Sequence, residues 1–277
     1  MTKKRLTSLL LFFIALAGLS LMLYPIVADF WNTRHTSQLI SGYDTAIESI
    51  DEELYTGYWA EAQAYNQALA RIRGHKLPDS LKAAYETVLD VSGLGIMGYV
   101  EIPKMGVSLP IYHGTDPAVL QVGIGHVEWS NLPIGGESTH CVLSGHRGLT
   151  SAKLFSDLPI MQIGDVFYIR VLNELLTYQV DQISTVKPRD VDDLEVTEGK
   201  DYCSLVTCTP YGVNSHRLIV RGHRIANAEE VKNVLITSEA IRIDPMLVSA
   251  VLFSFLILVL IIYLFIITGL KRPEKKE

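Results

Sequence analysis

A cysteine at position 208 closes the β-rich run "SLVTC", and the proline and glycine of the following "TPYG" end a strand. A sulfur at such a strand end sits on a rim that a substrate can reach. Thiol chemistry needs more than access. The reactive form is the thiolate, and a free thiol titrates near about pH 8.5, so a nucleophilic cysteine needs a base or a cation beside it.

Among eight histidines, His146 has the most suggestive setting. In "LSGHRGL" it follows a β-rich run and is bracketed by glycines, as in a strand-end loop that lets another segment approach closely. Arg217 opens "RLIVR", where Arg217, Ile219 and Arg221 share one strand face and Leu218 and Val220 the other. A guanidinium is no base, but it can hold a fixed positive charge beside a developing oxyanion. Two antiparallel strands joined through the eight residues between them would bring Cys208 and Arg217 to one edge of a sheet.

Each group also has a plainer role to weigh: a small buried hydrophobe, a structural histidine, a surface arginine. Cys141 and Cys203 are expected to be buried in that plain sense. If residues 203–208 form one strand, Cys203 and Cys208 lie about 16 Å apart on opposite faces, too far to bridge. The odd count of three leaves at least one thiol unpaired within the chain. His140, Cys141 and His216 match no familiar zinc spacing, so neither a metal nor another cofactor is expected.

Several elements must position these groups. From Gln38 to Arg73 apolar residues recur in steps of three and four, which predicts two amphipathic helices. Pro78 and "DSLKAAYETVLD" predict a third that stops before Gly93. After Gly98 the texture changes to short β-rich runs: "MGYVEIP", "VSLPIYHG", "HCVLSGH", "DVFYIRV", "LLTYQVDQISTV", "YCSLVTC" and "HRLIVRGHRI". About seven strands in that length predict a compact barrel or sandwich. A helix is expected at "SAKLFSDL", and a turn or short helical loop at "DLEVTEGKD".

Two apolar stretches flank this region. Leu6–Ala28 and Met246–Leu270 carry no charge and are long enough to cross a bilayer. Lys3, Lys4 and Arg5 precede the first and "KRPEKKE" follows the second, so the positive-inside rule puts both termini in the cytoplasm and residues 29–245 outside. A cleavable signal peptide is the rival reading of the first stretch, but the apolar run continues well past its small-residue "ALA". Between positions 29 and 270 the chain holds 17 Lys and Arg against 28 Asp and Glu, a formal charge of −11. That excludes a surface built for nucleic acid. All three cysteines fall in the exported part, where disulfides can persist.

"LVTCTPYGVNSHRLIVRGHR" together with "LSGHRGL" resembles the sortases, specifically their class C, pilin-polymerising group. The resemblance covers most of residues 93–226, including "GYVEIPKMGVSLPIYHGT" and "LPIGGESTHCVLSGHRGL". It implies a mainly β fold: a closed eight-stranded sortase-type barrel over 93–227, an N-terminal helical subdomain over 29–92, and a transmembrane helix at each end, 6–28 and 246–270. Tails at 1–5 and 271–277 and a linker at 228–245 complete this division. The activity implied is that of a cysteine transpeptidase on a Gram-positive cell surface. Cys208 would be the nucleophile, His146 the general acid or base, and Arg217 the oxyanion and substrate-orienting group. The implied partners are pilins carrying an LPxTG-like sorting signal and an acceptor lysine.

The sequence departs from the family pattern twice. Ser204 stands where a threonine usually opens the cysteine motif. Many class C sortases carry an Asp-Pro-aromatic lid, but Asp116-Pro117 precedes Ala118 and Asp244-Pro245 precedes Met246. "DFW" at 29–31 lies too near the membrane to serve as a substitute, and the region matching the lid reads "HKLPDSLKAAYE", so an open or differently covered cleft is expected. A housekeeping-type sortase that anchors proteins to the cell wall, a secreted cysteine protease and a non-catalytic assembly scaffold are the competing readings.

Overall fold

The computed structural model describes residues 3–72 and 74–227 and, near the C-terminus, 253–259, 262, 263 and 266. Eight strands make the barrel: β1 (Ile96–Ile102), β2 (Val107–His113), β3 (Ile124–His126), β4 (Thr139–Ser144), β5 (Val166–Val171), β6 (Glu174–Val186), β7 (Asp201–Thr209) and β8 (His216–Ile225). They close in the order β1-β2-β3-β4-β7-β8-β6-β5, with β1 pairing β5 to complete the ring. Most neighbours are antiparallel; β2 with β3 and β4 with β7 are parallel. Closure leaves every strand a partner on both sides, so no edge is exposed.

Alternation fixes which residues face inward. Along β4 and β7, Cys141, Leu143, Cys203 and Leu205 belong to the main core, with Phe167, Ile169 and Tyr178. Val142 and Val206 point the other way, into a smaller apolar cluster with Ile219 and Leu194 on the barrel's outer face. Gly98 shows how tightly the wall is built: a side chain there would begin 2.2 Å from the Arg170 carbonyl oxygen.

Four helices precede or interrupt the strands. α1 (Lys3–Glu48) is one continuous helix across the position, 28/29, at which the sequence reading divides membrane from helical subdomain. Its segment from Leu10 is long and apolar enough to cross a membrane, and none of its most apolar stretch is buried against the protein. Further along, Tyr43 is fully buried and ties the helix to the barrel by donating to the Met97 carbonyl (3.1 Å) and accepting from Leu172 N (2.8 Å). α2 (Glu52–Leu69) starts at Asp51, whose carboxylate accepts from Leu54 N at 2.8 Å, and buries Ala62, Tyr65, Asn66 and Leu69 on one stripe. α3 (Asp79–Tyr85) is shorter than the sequence predicts, and α4 (Pro117–Val122) separates β2 from β3.

Two expectations need correction. The stretch "SAKLFSDL" forms turns and not an α-helix, with a 3₁₀ turn only at Leu158–Ile160. Its apolar residues Ala152, Leu154, Phe155 and Leu158 are buried, as a helical pattern would suggest, but Phe155 N donates to the His146 carbonyl across the loop. The second concerns β3, which has no counterpart among the β-rich runs: three residues are too few to show a period. Residues 192–194, inside the expected loop before β7, form a 3₁₀ turn. Of the expected second span, the described residues are helical, and the linker 228–245 and tail 271–277 lie outside the described residues.

Candidate functional site

Two neighbouring strands and the loop that leaves a third carry the three candidate residues. In the antiparallel β7–β8 pair Cys208 lies directly opposite Arg217, and Thr209 opposite His216. In the parallel β4–β7 pair the last register partners are Ser144 and Val206. The ladder continues one step beyond the strand: Gly145 N donates to the Val206 carbonyl at 3.0 Å, and Thr207 Oγ1 donates to the Gly145 carbonyl at 2.7 Å. His146 is the next residue after Gly145. Pleating puts Cys208, Arg217 and Ile219 on the outer face, and all three candidate side chains are half-buried.

The loop after β4 is held from several directions. His146 offers its carbonyl to Phe155 N (3.1 Å), Gly148 N donates to Ser156 Oγ (2.9 Å), and Arg147 Nη1 donates to Thr209 Oγ1 (3.2 Å), which links this loop to the residue after Cys208. The bracketing glycines have separate reasons. A Cβ on Gly145 would meet Ile124 Cδ1 at 2.6 Å and the Phe155 ring at 2.7 Å. Gly148 adopts φ +81°, and a Cβ there would lie 2.1 Å from the Tyr211 ring. Tyr211, from the turn between β7 and β8, therefore packs its ring over the backbone beside His146.

Arg217 donates from Nη1 to the carbonyls of His216 (3.1 Å) and Asn214 (3.3 Å), so its guanidinium is turned toward its own strand end. Among the described residues Cys208 makes no hydrogen bond to either partner. The backbone supplies the convergence, and a substrate carbonyl entering between the side chains would supply the remaining contacts.

Away from the rim the same outer face becomes apolar. Val142, Val206, Ile219 and Leu194 are buried together, and Val127, Trp129, Val186 and Val191 pack at their margin. His140 lies behind this patch, 1% exposed, with Nδ1 at 3.0 Å from the Glu195 carbonyl and Nε2 at 2.8 Å from Ser204 Oγ. The carbonyl can only accept, so Nδ1 carries the proton and the Ser204 hydroxyl donates to Nε2. Burial lowers the pKa of this imidazole, and Arg221 reinforces it against the Glu195 bond. Ser204, the departure in the cysteine motif, thus has a structural task.

His140 and Cys141 therefore look to opposite faces of β4. His216 sits at the start of β8, where Ser215 Oγ lies 2.9 Å from its Nδ1. No group of three or more His, Cys, Asp or Glu side chains among the described residues is arranged to hold a metal ion.

Sequence reasoning missed one contact. Asp29 Oδ1 accepts from Lys153 N (3.0 Å), and Asn32 Nδ2 donates to the Ser151 carbonyl (2.6 Å). The Asp-Phe-Trp segment, directly after the apolar stretch of α1, thus reaches the loop that leaves His146. Phe30 and Trp31 remain 54% and 72% exposed, so neither aromatic plugs the rim. The signal lies in the sequence: an acid and two aromatics directly after an apolar span. Residues 74–92 pack elsewhere, with His75 against Trp129 and Glu195 and Tyr85 bonded to His126.

This geometry has close parallels. The Sortase domain family matches residues 100–225. The crystal structure of sortase C1 from Streptococcus agalactiae superposes with a TM-score of 0.66 at 49% identity, covering 69% of this chain and 100% of that one. Sortase C of Streptococcus pneumoniae, a structure described as giving insight into catalysis and pilin substrate specificity, superposes with a TM-score of 0.63 at 43% identity, covering 69% and 97%. Sortase A of Streptococcus agalactiae is 34% identical over 119 residues, 42% of this chain and 48% of the relative, so the match spans about half of that protein's length. The chain belongs to the sortase family.

Proposed function

We propose that this protein is a membrane-held cysteine transpeptidase that cleaves an LPxTG-like sorting signal and joins the released acyl group to a lysine amine of a pilin subunit. The observation that carries the reading is the register: Cys208 opposite Arg217 on β8, with the loop that carries His146 leaving β4 on the other side, where Gly145 N bonds the Val206 carbonyl. Likeness to sortase C over a larger share of the chain favours pilin assembly over cell-wall anchoring. The sortase C structures match 63–70% of the chain at 41–49% identity, whereas sortase A of Streptococcus agalactiae matches 42% of it at 34%.

The chemistry follows from the three groups. The Cys208 sulfur attacks the threonine carbonyl of the signal, and the Arg217 guanidinium, fixed at the adjacent strand position, stabilises the oxyanion. His146 protonates the departing glycine amine, leaving a thioester on Cys208. A lysine amine then attacks that thioester, His146 accepts its proton, and the sulfur leaves. One amide is exchanged for one isopeptide bond through an intermediate that conserves the acyl energy, so no nucleotide is needed. The barrel would lie outside the cell, held by α1.

The test is to mix the detergent-solubilised full chain with an LPxTG peptide and measure intact mass. A thioester adduct is expected on Cys208 and on no other cysteine. Absence of any adduct together with unchanged pilin polymerisation by Cys208→Ala would make the protein a scaffold.

A further inference from the structure

The mechanism leaves two cysteines unused, and the fold places them side by side. Cys141 on β4 and Cys203 on β7 are direct register partners in the parallel pair, with exposures of 2% and 0%. Paired Cα atoms on neighbouring strands lie about 4.8 Å apart, inside the range of about 4.4–6.8 Å that a disulfide spans. Both side chains point into the main core, and both thiols are free in this structure. Burial holds the Cys203 thiol well above its ordinary pKa. At Cys141 burial pushes the same way, but the neighbouring Cys203 and His126 draw that group below its ordinary value. Cys208 is no competitor, since it faces outward at the far end of β7.

We propose that Cys141 and Cys203 are a modification site: a cross-strand disulfide that forms in the exported chain and ties β4 to β7. The inference rests on the proposed extracellular placement of the barrel and is independent of its activity. The oxidant is of the disulfide class, a thiol oxidoreductase or a small disulfide. Exchange forms one S–S bond between Cys141 and Cys203 and breaks the oxidant's own. Two electrons pass to the oxidant, and the two thiol protons end on its released thiols. Because neither sulfur is exposed in the closed barrel, the bond forms before β4 and β7 complete the wall, and the finished barrel then shields it from reductants.

The position of the rung gives it a purpose. Cys141 precedes His146 by five residues and Cys203 precedes Cys208 by five. The same parallel ladder that pairs the two buried cysteines runs on to Ser144 and Val206, each two residues before His146 and Cys208. A covalent rung at one end fixes the register on which the rim depends at the other, since a slip of one residue would turn His146 to the wrong face.

The experiment isolates the full chain from membranes of producing cells without reductant, denatures it and treats it with N-ethylmaleimide. One adduct per chain, on Cys208, is expected, rising to three after reduction, with a crosslinked 141–203 peptide about 2 Da below the reduced pair, the mass of the two protons and electrons lost. Three adducts without reduction, or a bridge that includes Cys208, would overturn the proposal. Melting supplies a second readout: reduction should lower the Tm of the wild-type chain by about 10 °C and leave Cys141→Ala/Cys203→Ala unmoved. A crosslink whose reduction shifts nothing would refute the register-locking role. The mass result does not depend on catalysis, so it stands or falls apart from the transpeptidase reading.

Discussion

The inner and outer faces of β4, β7 and β8 are made by the same strands, residue by alternate residue, and they do opposite work. Inward, Leu143, Leu205 and Val220 are fully buried and pack against the rings of the core. Outward, the same strands present a half-buried rim of His146, Cys208 and Arg217 and an apolar strip behind it. Three cysteines on two of these strands are therefore different chemical objects. What separates them is the pleat, which turns Cys203 into a closed core and brings Cys208, five residues on, to a surface. Position within the sheet, and not residue type, assigns the role.

The largest effect should come from removing the outer sulfur. Cys208→Ala is expected to lower transpeptidation by at least about 10⁴-fold with the Tm unchanged within error. Leu205→Ala, three residues earlier and inward, should do the reverse: about 2–5 kcal/mol less stable by denaturant unfolding, with kcat preserved where the protein remains folded. If both variants lose activity and stability alike, the two faces are not functionally separate.

Arg217 sharpens the comparison within β8. Arg217→Ala should cut kcat by about 10²–10³-fold by removing the fixed charge opposite Cys208. Arg221, further along the same outward face, pairs with Asp181 at 3.0 Å and lies over the Tyr202 ring, so Arg221→Ala should act on stability and leave kcat within a few fold. Steady-state kinetics on an LPxTG peptide separate the two.

A smaller loss is expected at Gly148→Ala. A methyl group collides with the Tyr211 ring and φ +81° disfavours any side chain, so the loop from His146 must shift. A displacement near 1 Å can cost about 10²-fold, and pairing the change with Tyr211→Ala should recover part of it. No recovery would mean that backbone strain alone, and not the ring, sets the cost.

These contrasts also explain what can be read without coordinates. Alternation in "YCSLVTC" and "RLIVR" marks strands and tells Cys203 from Cys208, because period two survives wherever one face is buried. The cysteine and arginine spacing makes their shared edge legible, since a hairpin needs only its own turn. The β4–β7 contact is not legible: parallel pairing joins segments some 60 residues apart and leaves no local trace. "SAKLFSDL" misleads because Ala152, Leu154, Phe155 and Leu158 are buried at helical intervals while its bonds run to the preceding loop, Phe155 N donating to the His146 carbonyl and Ser156 Oγ accepting from Gly148 N. Asp29 escapes a reading that ends the structure at the membrane boundary, whereas α1 runs on unbroken along the barrel.

The smallest effect concerns the buried imidazole behind the rim. His140 is neutral between the Glu195 carbonyl and the Ser204 hydroxyl, and burial, with Arg221 nearby, keeps its folded pKa below the usual histidine value. In the unfolded chain the same group takes up a proton near about pH 6.5, so the unfolded state binds more protons below that pH. The stability this histidine contributes is complete above about pH 6.5 and is lost as the pH falls from there through the folded value. His113, lowered chiefly by burial, acts in the same direction. The Tm should therefore fall as the pH is taken from about 7.5 to about 5.5, on either side of the unfolded value, and His140→Gln should show a shallower fall. Because His140 ties the segment before β7 to the outer face, acid should also raise amide exchange at 187–200 before it does so in the inner layer. Equal exchange in both regions would show that the two faces open as one unit.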